Sequence, residues 1–339
     1  MSKINTNRTV KPRLTLAVRG LFAPAPDAAV PALQTLLARA DRGPGLDTAD
    51  FDSTLLRLFG ITPEPGADPP VAALTRVADT GRVEPGWWLR ADPVHLLPGL
   101  DQLLMTDNRE LKLQQAEAEG LVEEILRIFG ADGWRLQAPH PERWYLALDA
   151  PPAIATTPPG RLMGRSVFPH LPRGRDGKAW HAVLNELQTL LHGAAVNETR
   201  EARGEWPVNS LWFWGGGALP AVNGASWARV WGHDPLTRGL ARVADLPCAE
   251  PPADVADWLR QDVEPGEQLL VLEDVIAAEP ADLERLEQDW MRPLLAALKA
   301  NTLERLTLVG ETGVRFVITS RQARHRWWRR PVARYADLE

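Results

Sequence analysis

The sequence of 339 residues has a single cysteine, Cys248. That excludes an internal disulfide and any cysteine-based zinc cluster. In its proline-rich connection the thiol reads as structural. No apolar run reaches the roughly 18 residues of a membrane-spanning helix. The first dozen residues are polar and basic without an apolar core, so no secretory signal is expected and the expected address is the cytoplasm. The phosphate-binding P-loop, the GxGxxG fingerprint, the GxSxG elbow and the HExxH zinc motif are all missing, and no cofactor is expected. Basic excess is missing too: the net charge of −6 argues against a general nucleic-acid surface and leaves no membrane partner in view.

Two tyrosines stand against 14 tryptophans. Tryptophan joins a large apolar surface to one donor, so it serves cores and ligand walls alike, with core packing the default. Near the C-terminus Arg321, Arg324, His325, Arg326, Arg329 and Arg330 surround Trp327 and Trp328. Such interleaving could stack on single-stranded nucleic acid; the alternative is a terminal segment whose tryptophans dock on the body.

Proline is high at 30 residues, with clusters at Pro24 and Pro26, Pro63 to Pro70, Pro151 to Pro159 and Pro247 to Pro252 that punctuate elements without forming one linker. Residues 1 to 11 read as a tail. Arg13 to Val18 alternates as a strand that ends at Arg19-Gly20, and helical spacing follows at Leu33, Leu36, Leu37 and Ala40 and over 48 to 59. Gly86 to Arg90 reads as a strand ending at Asp92-Pro93, and 109 to 129 as one long helix. Trp134 to Ala138 and Arg143 to Leu148 read as an antiparallel pair. A helix over Trp180 to Leu191, a strand at Gln268 to Leu272, a helix over Ala281 to Lys299 and strands at Leu306 to Val309 and Arg315 to Thr319 complete the pattern. Strands alternating with helices predict an α/β fold with a mainly parallel sheet.

The most informative stretch is Asn209-Ser-Leu-Trp-Phe-Trp-Gly-Gly-Gly-Ala-Leu-Pro220. An apolar strand that runs into Gly215, Gly216 and Gly217 lets backbone amides approach a ligand, because no Cβ intervenes. Upstream, His192, Asn197, Arg200, Gly204 and Asn209 are spaced H-x4-N-x2-R-x3-G-x4-N. An arginine fork with neutral amides fits a phosphate or carboxylate. Equally, the two asparagines could cap loops while Arg200 makes an ion pair. Asp92 and His95 share one short segment, and Asp101 and Asp107 are further metal-ligand candidates, although a site needs donors converging in space.

The run from His192 to Gly217 resembles the archaeal-type cofactor-independent phosphoglycerate mutases of the alkaline phosphatase superfamily. More closely still it resembles the bacterial RpfE-like regulatory proteins. Looser likeness extends over Leu14 to Arg19, Leu33 to Gly43, Leu103 to Leu126, Leu270 to Asp274 and Ala281 to Leu295. The resemblance implies an alkaline-phosphatase-like α/β core from 1–85 and 206–339, with an α+β insertion over 86–205. It also implies a metal-binding Asp-Gly pair where this chain has Arg19-Gly20, and a nucleophilic Ser or Thr where it has Ala91-Asp-Pro-Val-His95. A metal-binding Asp-His pair is implied where Thr319-Ser-Arg-Gln322 stands. A two-metal site needs carboxylates, imidazoles and an activated nucleophile. The expectation is therefore a degenerate, regulatory relative without catalytic or metal-ligating residues, which binds a small anionic ligand or a protein partner. Arg19, His95 and Arg321 join Asn197, Arg200, Asn209, Gly215, Gly216 and Gly217 as candidate ligand contacts. A working metal-dependent phosphotransferase or phosphatase, and an interaction module using exposed tryptophans, are the alternatives.

Overall fold

The computed structural model describes residues 11–22, 29–64, 66–99, 102–106, 108–162, 165–222, 226–261, 266–273 and 280–329. Residues 1–10 of the tail, Pro24, Pro26, Asp101, Asp107, Asp274 and Arg330, all named above, lie outside the described residues. The chain forms two compact units, Met1–Ile61 with Val222–Glu339, and Thr62–Ala221. Both boundaries differ from the expected 86 and 205.

The first unit is built on a seven-stranded sheet. In spatial order its strands are Cys248–Ala249, Trp227–Trp231, Glu267–Leu272, Arg13–Val18, Arg305–Val309, Arg315–Thr319 and Asp41–Arg42. The first five are mutually parallel and the last two pair antiparallel. Arg13–Val18 is central, buried from Leu14 onward, and its β alternation sends Leu14, Leu16 and Val18 into one core cluster. That cluster takes Leu33, Leu36 and Leu37 from the helix Pro31–Arg39, and Trp290, Leu294 and Leu298 from the helical run Pro280–Ala300. The run contains a π-helical turn at Glu287–Met291. The turn holds the buried Glu287 carboxylate against the amides of Ala32 and Leu33, at 2.7 and 3.0 Å. A carboxylate there satisfies orphan donors and complements the positive end of the helix Pro31–Arg39.

The second unit has a four-stranded antiparallel sheet in the order Arg135–His140, Arg143–Ala147, Trp87–Val94, Ser210–Ala218. The glycine-ended strand therefore pairs here, along Trp87–Val94, and not in the parallel sheet where the expected core boundary put it. Trp87–Val94 continues through Pro93 because its ladder to Arg143–Ala147 stops at Arg90; the missing amide of Pro93 costs no bond on that side. Helices Gln115–Phe129 and Gly177–His192 cover one face, burying Leu121, Ile125, Trp180 and Leu187 against Leu89, Trp144 and Phe213. The expected helix from 109 is interrupted: Lys112 has φ of 48°, and a capping box between Gln114 and Glu117 starts the helix afresh. Among the described residues no helix is long and apolar enough to cross a membrane.

Candidate functional site

The residues singled out from the sequence are dispersed. Asn197 is 2% exposed, and its amide donates to the carbonyls of Leu191 and Val208, both at 2.7 Å, while its oxygen accepts from Val208 N at 2.9 Å. Arg200 is 0% exposed. Its Nε donates to Trp206 O at 3.0 Å, one Nη to Glu117 at 2.6 Å and the other to Leu111 O. Asn209 brackets Leu96, accepting from its amide at 2.7 Å and donating to its carbonyl at 2.9 Å, so one side chain prolongs the strand pairing. The spaced motif is thus a clamp that turns the helix Ala195–Ala202 into the strand Ser210–Ala218. Its donors are consumed by the fold, and the expected anion fork is not presented to solvent.

The three glycines serve packing. A Cβ on Gly216 would come within 2.7 Å of the Trp87 ring, and one on Gly217 within 2.6 Å of Pro70 Cβ. Gly215 has φ of 64° and donates its amide to Thr156 Oγ1 at 3.2 Å. His95 is bonded through Nδ1 to Pro207 O at 2.8 Å, and its ring lies 4.7 Å from that of Trp206. Burial pushes its pKa down, opposed by Pro207 O and the charge of Glu201. The surface depression beside it is lined by Glu201 and Glu205, which disfavour an anion.

Strand direction overturns two further expectations. Thr319 pairs with Arg305 at the start of that parallel strand, so Thr319-Ser-Arg-Gln322 lies at the edge of the sheet opposite to Arg19. Arg321 stands exposed there, on the short helix Ser320–His325. Ala91 to His95 is not a nucleophile loop of the parallel sheet: Ala91 to Val94 pair with Phe213 to Ser210 in the second unit. At the C-terminus, Trp327 and Trp328 are 74% and 62% exposed, so they do not dock on the body. Arg326 and Arg329, by contrast, are bonded to Asp41 and to the carbonyls of Arg39, Ala38 and Ala40.

What the sequence did not reveal is a convergence at the carboxyl edge of the parallel strands, the edge where open α/β sheets place ligands. Four adjacent strands each set a charged residue just past their ends: Asp234 after Trp231, Glu273 after Leu272, Arg19 after Val18 and Glu311 after Val309. Asp52 joins them from the helix Phe51–Leu58. Arg19 Nη2 lies 3.1 Å from Asp52 Oδ1 and 3.5 Å from Glu273 Oε1, with the guanidinium 4.8 Å above the Phe51 ring. Glu311 accepts from Gly20 N at 3.1 Å. Asp234 caps the helix Pro235–Val243 by accepting from Thr237 N at 2.8 Å through Oδ1. Among the described residues its Oδ2 and Thr237 Oγ1 meet no partner at full hydrogen-bonding geometry. The signal in the sequence was an acidic or basic residue within three positions of the end of an apolar run, which is common at strand ends.

The electrostatics follow from this crowding. Burial opposes the charge on Arg19, but Asp52, Glu273 and Glu311 outweigh it and raise the guanidinium pKa. Burial, then the neighbouring Asp234 and Asp52, push Glu273 up to about 9 against the pull of Arg19. Burial also raises Asp234, opposed by its bonds from Thr237. The native state therefore holds a proton on Glu273 that the unfolded chain releases near its ordinary value of about 4.3. The stability this contributes is full below that value and is lost as pH rises toward about 9. Glu273→Gln, which mimics the protonated form, should melt close to wild type at pH ~4 and above it at pH ~9. Thermal unfolding at both pH values checks this, and a gap that does not widen with pH would contradict it.

No family profile matches the chain. A probable 2,3-bisphosphoglycerate-independent phosphoglycerate mutase of Geobacter sulfurreducens is 27% identical over 209 residues, covering 60% of this chain and 49% of that protein. The chain is phosphoglycerate-mutase-like. The mutase of Methanosarcina acetivorans is 32% identical to this mutase-like chain over 102 residues, 28% of this chain and 25% of the relative. The matched part thus spans about half, or less, of these relatives' length. Among solved structures, the PH0037 protein from Pyrococcus horikoshii aligns over 91% of this chain and 87% of its own, with a TM-score of 0.52 and 15% identity, which supports the shared fold alone. The donor set at the carboxyl edge does not fit the two-metal site that the resemblance implies. An arginine stands at its centre, and among the described residues no three His, Cys, Asp or Glu side chains are grouped to hold a metal ion.

Proposed function

We propose that this phosphoglycerate-mutase-like chain does not carry out the mutase reaction and acts instead as a regulatory or binding protein. The observation that carries the reading is the Arg19 guanidinium paired with Asp52 and Glu273 at the end of the central strand. The mutase resemblance calls for a metal-binding carboxylate at that position. A cation there repels a divalent ion, and in the two-metal chemistry that the resemblance implies it is the metal that polarises the transferring phosphoryl group.

The small-anion form of this role loses support, since Asn197 and Arg200 are spent within the fold and Arg19 sits among carboxylates. A protein partner is the better reading. It is favoured by the edge-on pair Trp327 and Trp328, whose ring centroids are 6.2 Å apart and whose faces are exposed. Aromatic side chains of this kind are enriched among the residues that anchor protein interfaces.

Interconversion of 3-phosphoglycerate and 2-phosphoglycerate, assayed on the purified chain with added Mn2+, is expected to stay at the protein-free rate. Turnover on the order of 1 per second or faster, the ordinary range of enzymes, would sink the proposal.

A further inference from the structure

We infer that the depression beside His95 is a binding site for an alkylammonium group, the head of a lysine side chain or of a small free amine. Its residues all belong to the Thr62–Ala221 unit, whereas Arg19, Trp327 and Trp328 belong to the other unit. Its test is therefore read apart from mutase turnover and from partner binding through the two C-terminal tryptophans.

The fold builds the wall of this depression. The helix Ala195–Ala202 ends in a paired turn: Gly204 N donates to Glu201 O at 2.9 Å and Glu205 N to Arg200 O at 3.0 Å, with Gly204 at φ of 74°. That closure brings Glu201, in the last helical turn, and Trp206, which follows the turn, onto one wall. Arg200 Nε and His95 Nδ1 then hold the carbonyls of Trp206 and Pro207, at 3.0 and 2.8 Å, so the backbone is pinned at two successive residues. The depression measures about 370 Å3 and opens to solvent, which leaves room for a short alkyl chain and its head group.

Three features of the wall fit one kind of ligand. His95 is 7% exposed, and because Pro207 O can only accept, Nδ1 carries the hydrogen. In the neutral ring, which burial favours, Nε2 is then a bare acceptor, and among the described residues nothing donates to it. An acceptor on so buried a ring is best satisfied by an N–H donor from outside. Glu201 supplies the charge. Arg200 and Arg203 balance Glu117 and Glu205, but Glu201 meets no cation among the described residues, and its field reaches His95. The carboxyl end of the helix adds partial negative charge at the same place. Trp206, 48% exposed, offers a ring that attracts cations, its centroid 4.7 Å from that of His95. An ammonium has N–H donors, a positive charge and no acceptor, so it suits the imidazole, the carboxylate and the indole together. A quaternary amine lacks the donor for Nε2, and a carboxylate or phosphate suits none of the three.

The probe is butylammonium, titrated into the full chain with isotopically labelled histidine nitrogens at about 150 mM salt, where unspecific attraction is screened. The His95 Nε2 resonance is expected to shift and to saturate, with a dissociation constant in the millimolar range. Glu201→Gln and Trp206→Ala should each weaken binding roughly threefold or more. Both side chains are exposed, so the variants should keep the wild-type thermal transition; should Trp206→Ala be unfolded, Glu201→Gln alone decides. Butyltrimethylammonium, which carries the charge without an N–H, should leave Nε2 unmoved, and butyrate should not bind. No saturable shift of Nε2, butyrate binding as well as the amine, or folded variants binding like wild type would each overturn the inference. Nα-acetyl-lysine amide and diaminobutane then present the ammonium as a protein side chain and as a free amine. Tighter binding of the first assigns the site to a partner's lysine, tighter binding of the second to a free polyamine, and either outcome supports it.

Discussion

Arg200→Leu is expected to lower the stability of the Thr62–Ala221 unit by about 3–5 kcal/mol, the usual cost of removing one partner from a buried ion pair. The side chain has no exposed surface, and its three nitrogens each hold a different element. Nη1 meets Glu117, which also accepts from Gln114 N at 2.9 Å in the capping box of the helix Gln115–Phe129. Nε and the other Nη satisfy the carbonyls of Trp206 and Leu111. A leucine fills part of the volume but strands both carbonyls and leaves Glu117 to the exposed Arg203. Arg200→Lys keeps one charge and loses the fork, so an intermediate loss of about 1–3 kcal/mol is expected. Hydrogen exchange of the slowest amides in this unit reads the effect without assuming that the two units unfold together. A loss under about 1 kcal/mol for Arg200→Leu would contradict the clamp and reopen the ligand-binding reading.

Arg90→Leu is expected to be comparably severe, at about 3–5 kcal/mol. Arg90 and Asp92 lie two residues apart on one face of the strand Trp87–Val94, so the alternation of the strand sets them side by side. The guanidinium meets the carboxylate in a fork, Nε to Oδ1 and Nη2 to Oδ2, both at 2.8 Å. It also packs 5.3 Å from the Tyr145 ring and 5.1 Å from the Trp214 ring. Asp92 accepts two further bonds, from Trp214 Nε1 at 2.7 Å and Trp144 N at 3.3 Å. Burial still pushes its pKa up in spite of Arg90, which shows how costly the lone carboxylate would be. The double variant Arg90→Leu, Asp92→Leu removes both charges and should lose less than either single variant. Equal or greater loss in the double variant would show that the two residues act independently.

Asp92 also illustrates why the sequence leaves the role of this segment open. Two potential metal ligands, Asp92 and His95, stand three residues apart, a spacing that is chemically suggestive but blind to direction. In the fold Asp92 turns to Arg90, while His95 turns to Pro207 and Trp206. The same holds for Asn197, Arg200 and Asn209. Their types and spacing announce hydrogen-bonding capacity, and the fold decides whether water, a ligand or the chain's own backbone uses it. Glycine was ambiguous in the same way. The absent Cβ at Gly216 and Gly217 admits Trp87 and Pro70, where a ligand had been expected.

Regular elements were far more legible. The helices at Pro31–Arg39, Gln115–Phe129 and Gly177–His192 and the strands at Arg13–Val18, Glu267–Leu272 and Arg305–Val309 announce themselves by the period of their apolar residues. Those overlooked were short or weakly patterned, such as Trp227–Trp231 and the helix Pro235–Val243, although Asp234 before Pro235 is a good helix-start signal. Missing that strand end also hid Asp234, one of the four strand-end residues that meet at the carboxyl edge.

The amino-acid sequence by itself determined the α/β class, the apolar faces of the principal elements and the mutase-like relationship. Each of these is carried by local periodicity or by contiguous residues. Only the tertiary structure decided which charged residues meet. Arg19 and Arg321 both follow strands, but the antiparallel direction of Arg315–Thr319 sends Arg321 to the far edge of the sheet. Parallel neighbours bring Asp234, Glu273 and Glu311 to Arg19 from positions more than two hundred residues away in the chain. Strand order and direction fix that meeting, and the charge left at the shared edge makes Arg19 the residue on which the proposed function rests.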